Sequence, residues 1–85
     1  MAWFVYMLRC GDGSLYTGYT DDVARRLAVH QSGKGAKYTR SRLPVTLAYQ
    51  EELPDKSAAL RREAAIKKLT RGEKLRLIEA GNHEE

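Results

Sequence analysis

The stretch that most restricts how this chain can fold is FVYMLRCGDGSLYTGYT, Phe4 to Thr20, where two apolar runs meet at Gly-Asp-Gly. Residues Trp3 to Arg9 are aromatic or aliphatic on both parities, Phe4/Tyr6/Leu8 and Trp3/Val5/Met7. Such a run reads as a strand covered on both faces, and therefore as a central one. Gly11 to Gly13 offer a three-residue hairpin loop, a type I turn closed by Gly13 in the left-handed region, and Ser14 to Thr20 form the returning strand. Loop length sets the register. With Cys10 opposite Ser14, Leu8 faces Tyr16 and Tyr6 faces Gly18, so Tyr6 and Tyr16 lie diagonally on one face with a gap at Gly18.

Downstream, Asp21 or Asp22 can cap a helix running to about Gln31, and SGKGAKYTRSR follows as a glycine-bearing basic loop, expected to be mobile. In PVTLAYQEE, Pro44 to Glu52, Val45, Leu47 and Tyr49 alternate with polar neighbours, the pattern of a third strand. Pro54 and Asp55 open a helix to about Leu69. Thr70 with Glu73 three residues later makes a capping box for a last helix that Gly81 ends. The order ββαβαα predicts an α/β domain with a small three-stranded, mainly antiparallel sheet flanked by helices. Residues 1–81 read as one domain and 82–85 as a short polar, acidic tail. No repeat or low-complexity segment interrupts them.

Charge narrows the partners. Fifteen Lys and Arg against eleven Asp and Glu give +4, and Glu79, Glu84 and Glu85 gather at the C-terminal end, so the body is more basic than the total. A polyanion such as nucleic acid is the natural partner, because cations at phosphates gain affinity by releasing counterions. The sole cysteine, Cys10, has no intrachain disulfide partner, and with only His30 and His83 there is no Cys/His cluster for zinc. A metal would have to rely on oxygen ligands, as hard divalent ions do. No run approaches the roughly 20 apolar residues that span a bilayer, and MAWFVYMLRC lacks the marks of a leader, so the expectation is a soluble cytoplasmic protein without a membrane partner.

At ~100° per residue, Val23, Arg26, Leu27 and His30 share one face of the first helix while Arg25 points away. On the next long helix Glu63 falls among Ala59, Leu60 and Ile66, a carboxylate on an apolar side. Each has an ordinary reading too. Tyr6 and Tyr16 could be amphipathic sheet tyrosines, Arg26 a surface partner of Asp22, His30 a helix-end histidine favoured by the dipole, and Glu63 an acid paired with Lys67 or Arg26. Lys34, Lys37, Arg40 and Arg42 could be a solvated loop. Tyr38 offers surface for base stacking, and Trp3 does so with core packing as its commoner use. The GKG at Gly33 to Gly35 is not a Walker A loop, since Ala28 stands where its first glycine belongs and Gly35 where its Ser/Thr does.

Taken in order, FVY at Phe4 to Tyr6, YTG at Tyr16 to Gly18, Arg26 eight residues beyond that glycine, His30, and Glu63 on a later helix resemble the GIY-YIG nuclease superfamily. The likeness covers residues from about 3 to 78. It is closest to small stand-alone bacterial members, which share segments similar to LYTG, HQSGKGAKYT and ALRRE. The resemblance implies metal-dependent hydrolysis of nucleic-acid phosphodiesters. Tyr6 and Tyr16 are then the motif tyrosines, Gly18 the motif glycine, Arg26 the catalytic arginine, His30 an accessory histidine and Glu63 the ligand of Mg²⁺ or Mn²⁺. Phe4 departs from the first motif glycine and Thr17 from the usual isoleucine, and an asparagine found after the glutamate in some members has no match.

In that scheme Arg26 forks onto the phosphate, and Tyr6 or Tyr16, its phenol lowered by the cation and Arg26, takes a proton from water. His30 orients that tyrosine or relays the proton, and Lys34, Lys37, Tyr38, Arg40 and Arg42 hold the nucleic acid. The expected activity is an endonuclease of low sequence specificity with DNA ahead of RNA. Its rivals are a non-catalytic nucleic-acid-binding module on the same scaffold and a basic adaptor for a protein partner. Retention of Tyr6, Tyr16, Arg26 and Glu63 together favours catalysis.

Overall fold

A computed structural model describes residues 2–81; Met1 and the expected tail at 82–85, with His83, lie outside the described residues. Strand β1 (Trp3–Arg9) runs between β2 (Leu15–Thr20) and β3 (Thr46–Leu53), antiparallel to both. Helices α1 (Val23–Gln31), α3 (Lys56–Lys67) and α4 (Arg71–Gly81) complete the order ββαβαα, with a one-turn α2 (Lys37–Arg40) set into the basic loop.

The hairpin has the register its loop dictates. Cys10 N–H donates to the Ser14 carbonyl and Gly13 N–H to the Cys10 carbonyl, both at 2.9 Å, and Gly13 turns the chain at φ +86°. Leu8 therefore pairs with Tyr16 and Tyr6 with Gly18. A side chain in the left-handed region would be strained there, which is why the loop closes on glycine.

The two parities of β1 feed two cores. Val5 and Met7 pack with Ala59 and Ile66 of α3 and Ile78 of α4. Tyr6 and Leu8 pack with Cys10 and Val45, flanked by Tyr16, Leu27 of α1 and Leu47. Fully burying an aliphatic side chain of this size is worth about 1.5–3 kcal/mol, so β1 is the strand on which the domain closes. The alternation expected for β3 does not run its full length. A bulge shifts the pairing from Leu8 with Leu47 to Met7 with Tyr49, so Leu47 stays on the Tyr6 side while Ala48 and Tyr49 pack on the Val5 side.

The helix ends follow local chemistry. Asp22, rather than Asp21, caps α1 by accepting from Arg25 N–H at 3.0 Å. Asp55 caps α3 through Ala58 N–H at 2.8 Å. Thr70 and Glu73 form the reciprocal box, with Glu73 Oε1 taking Thr70 N–H at 2.9 Å and Thr70 Oγ1 taking Glu73 N–H at 3.2 Å. Such caps satisfy helix-end N–H groups and are typically worth ~1 kcal/mol each.

Two expectations need correction. Leu60 is 40 % exposed, because it lies ~100° around the helix from Ala59 and so leaves the stripe that Ala59 and Ile66 bury. The basic loop is not a loose strap. Thr39 within it is fully buried, and Gly11 N–H donates to the Arg42 carbonyl at 2.7 Å, pinning the loop's far end to the hairpin turn. No helix among the described residues is long and apolar enough to cross a membrane.

Candidate active site

Gly18 is where the hairpin admits a site. A Cβ built there would stand 2.6 Å from Tyr6 Oη and 2.8 Å from its Cζ, so the Tyr6 phenol lies over the space a side chain would fill. The Tyr16 ring stands 6.4 Å from that of Tyr6 and 5.2 Å from the His30 imidazole. On α1, Arg26 is half-buried and Arg25 exposed, as helix phase requires. From α3, which packs across both β1 and β2, Glu63 reaches the same region with 16 % of its side chain accessible.

Tyr6, Tyr16, Gly18, Arg26 and Glu63 thus line one cleft of about 360 Å³, together with Trp3, Tyr19, Thr20, Asp21 and Lys56. The structure brings together four of the five expected catalytic residues on that surface, and sets the fifth, His30, just beneath it. Its imidazole is fully buried, with Nε2 3.0 Å from Tyr6 Oη and Nδ1 2.8 Å from Thr39 Oγ1.

Burial decides the protonation of this pair. It pushes the Tyr6 phenol up to about 12, with Arg26 the main opposing influence and Tyr16 and Glu63 adding to the rise. Arg26 by itself does not lower the Tyr6 phenol in this environment. Desolvation outweighs the nearby guanidinium, and Tyr6 is a neutral O–H at physiological pH. Burial, and then the charge of Arg26, hold His30 below its ordinary value, so it too is neutral and can accept a proton.

Glu63 partly keeps its ordinary role, since its Oε2 lies 3.3 Å from Nζ of Lys67 one turn on. That lysine is 54 % exposed, and an exposed pair of this spacing is worth only ~0.3–0.5 kcal/mol. Among the described residues, no three His, Cys, Asp or Glu side chains form a group able to hold a metal unaided. The donor set nonetheless fits Mg²⁺ or Mn²⁺. Glu63 is a carboxylate in an open polar cleft, and Mg²⁺ is commonly held by one or two carboxylates, several waters and substrate phosphate.

The expected nucleic-acid residues divide. Lys34, Lys37 and Arg40 are exposed and have no ion pair among the described residues. Arg42 is engaged. Its Nε lies 3.1 Å from Asp12 Oδ2, an Nη donates to the Tyr38 carbonyl at 2.9 Å, and its guanidinium covers the Tyr38 ring at 3.8 Å. Tyr38 in turn leans on Tyr16 at 5.9 Å, which joins the basic loop to the cleft. Sequence reasoning passed over Thr39; its one signal was that it closes the HQSGKGAKYT segment opened by His30.

Known proteins resemble this chain in sequence and shape. Residues 2–76 match the family described as the GIY-YIG catalytic domain. A UPF0213 protein of Streptococcus sanguinis is 67 % identical over 75 residues, covering 88 % of this chain and 86 % of that relative. The solution NMR structure of a UPF0213 protein from Bacillus halodurans is 49 % identical, covers 98 % of this chain and 89 % of its own, and superposes with a TM-score of 0.62. A solution NMR structure from E. faecalis is 42 % identical, covers 100 % and 91 %, and gives 0.66.

Proposed function

The chain belongs to the GIY-YIG catalytic-domain family, and from that premise we propose that it is a metal-dependent endonuclease hydrolysing nucleic-acid phosphodiesters, DNA ahead of RNA. The observation that carries this reading is convergence. Tyr6 from β1, Tyr16 from β2, Arg26 from α1 and Glu63 from α3 meet on one cleft although far apart in sequence. A merely basic binding surface has no need of a half-buried carboxylate at its centre, which repels phosphate unless a cation intervenes.

In this reading Arg26 donates a fork to the nonbridging oxygens and stabilises charge that develops there as water attacks phosphorus. Tyr6 takes a proton from that water while passing its own to His30 Nε2, so a phenol held at about 12 need never become a free phenolate. Tyr16, wedged between Tyr38 and His30, fixes the cleft wall and orients the phosphate or water. Glu63 would hold Mg²⁺ or Mn²⁺, and the ion when bound neutralises phosphate charge and stabilises the leaving 3′ oxygen. Lys34, Lys37 and Arg40 contact flanking phosphates. Low sequence specificity is expected of contacts directed at the backbone.

The test is labelled duplex, branched and single-stranded DNA, with RNA alongside, incubated with the purified protein in Mg²⁺, Mn²⁺ or chelator. Cleavage should require the metal, and Glu63→Gln should abolish it while DNA affinity stays within severalfold. Equal cutting in excess chelator would remove Glu63 from its role. Binding without cutting under every metal would favour the binding-module reading.

A further inference from the structure

The imidazole of His30 can serve Tyr6 only in one of its two neutral forms, and the neighbours that select between them come from the basic loop. Thr39 Oγ1 has one hydrogen, and it donates to the Ala36 carbonyl at 2.9 Å, where Thr39 N–H also donates at 3.0 Å. With that hydrogen committed, Thr39 Oγ1 faces His30 Nδ1 at 2.8 Å as an acceptor. At the other end, Tyr6 Oη lies 3.0 Å from His30 Nε2, and a neutral phenol can donate its hydrogen to that nitrogen. The Thr39 end selects, and the Tyr6 end fits, one form, with hydrogen on Nδ1 and a lone pair on Nε2. The ring cannot turn away: Thr39 and His30 are both fully buried, and a Cβ at Gly35 would run into the imidazole's Nδ1 and Cγ.

We propose that Thr39 is a positioning residue which, through its hydroxyl, holds His30 in the Nδ1–H tautomer and so leaves Nε2 as the acceptor for the Tyr6 proton. Its importance for cleavage rests on the endonuclease reading above, whereas the tautomer does not. The arrangement also ties two functions to one segment. Residues 34–40 carry Lys34, Lys37 and Arg40 on their outside and Thr39 on their inside, so the loop that meets the nucleic acid also sets the proton acceptor.

Nitrogen NMR of the histidine side chains, in a His83→Gln background to leave one signal, reads the tautomer directly. The unsubstituted Thr39 protein should show hydrogen on Nδ1. Thr39→Val, nearly the same shape without the acceptor, should move His30 toward the Nε2–H form and slow cleavage on the order of 10²-fold, the lower range of what a positioned base contributes. Thr39→Ser, which keeps the hydroxyl, should restore the Nδ1–H form and cleavage to within severalfold. An Nε2–H histidine at the outset, or an unchanged tautomer in Thr39→Val, would overturn the proposal. If the valine variant does not fold, the starting tautomer and the serine variant still decide it. A correct tautomer shift in a protein that cuts no substrate would sustain this inference while sinking the endonuclease reading.

Discussion

Each face of the sheet buries a threonine, and the two hydroxyls meet opposite fates. Thr39, on the Tyr6 side, is fully buried and has partners at both ends, the Ala36 carbonyl and the His30 ring. Thr17, opposite Met7 on the Val5 side, is 4 % exposed, and its Oγ1 has no hydrogen-bond partner among the described residues. One face is therefore hydrocarbon with a polar flaw, and the other a satisfied polar chain roofed by an open cleft. The first face carries the larger apolar cluster, and the cleft opens beside the second, with Glu63 reaching it from α3 on the first. The same strand supplies both, because successive side chains of β1 point opposite ways.

If that division is right, damage to the two faces should be separable. The largest effect is expected from Ile66→Ala on the hydrocarbon face. Ile66 is fully buried against Val5 and Met7, and truncating such a residue costs about 2–5 kcal/mol through lost transfer energy and the cavity left behind. Urea unfolding should show that loss, while cleavage by the fraction still folded stays near normal. A stable variant with a dead site would collapse the distinction.

Next comes the arginine pair on the other face. Arg26→Ala removes a donor from the cleft and should slow cleavage by ~10²-fold or more, the scale of losing one transition-state donor. Arg25, exposed on α1, should cost within about ±0.5 kcal/mol of stability and at most severalfold in rate when changed to Ala. Circular dichroism melts would establish that both fold. Equal rates would place the functional arginine elsewhere.

The contrast between these residues was legible early, since helix phase alone separates Arg26 from Arg25, and turn chemistry at Gly-Asp-Gly sets Tyr6 opposite Gly18. Caps and hairpins are local devices, read from residues a few places apart. What stayed hidden depends on packing between distant segments. The bulge that sends Tyr49 to the Val5 side answers the fit of α4, where Gly81 leaves room for its ring. Thr39 looks like loop filler until His30 comes to rest beside it. The raised phenol of Tyr6 is likewise a product of burial. In sequence only the neighbouring charges could be weighed, and of these Arg26 points the other way.

A smaller effect should distinguish the faces by pH. The pKa of His30 in the fold lies below its ordinary value of 6.5, because the ring is desolvated among Tyr6, Tyr16 and Thr39 and sits near Arg26. The unfolded chain then binds the proton more readily. The stability that neutral His30 contributes is present above about pH 6.5 and lost as pH falls through the lower folded value. Asp12 and Glu73 are shifted below 3.8 and 4.5 by hydrogen bonds from Ser14 and Thr70, so their contributions persist to more acid pH. Melting temperature should decline in two stages, and His30→Gln should erase the first stage only. A single decline below pH 4.5 would mean that His30 is not held neutral by its surroundings.

The smallest change should repair the flaw on the hydrocarbon face. Thr17→Val exchanges an orphaned hydroxyl for a methyl of nearly the same size, on a strand where β-branching is already favoured. An unpaired buried hydroxyl costs on the order of 1–3 kcal/mol by mutational measure, and part of that is offset wherever the valine fits less well. A gain of about 1 kcal/mol is therefore expected, read as a higher urea midpoint at unchanged slope. The same exchange at Thr39 should destabilise, because it leaves the buried Nδ1 of His30 without a hydrogen-bond partner in either tautomer. Thr17→Val should leave cleavage unaltered, since its side chain faces Met7 and not the cleft. If Thr17→Val proves as harmful as Thr39→Val, the Thr17 hydroxyl has a partner of its own, and the two faces differ less than their packing indicates.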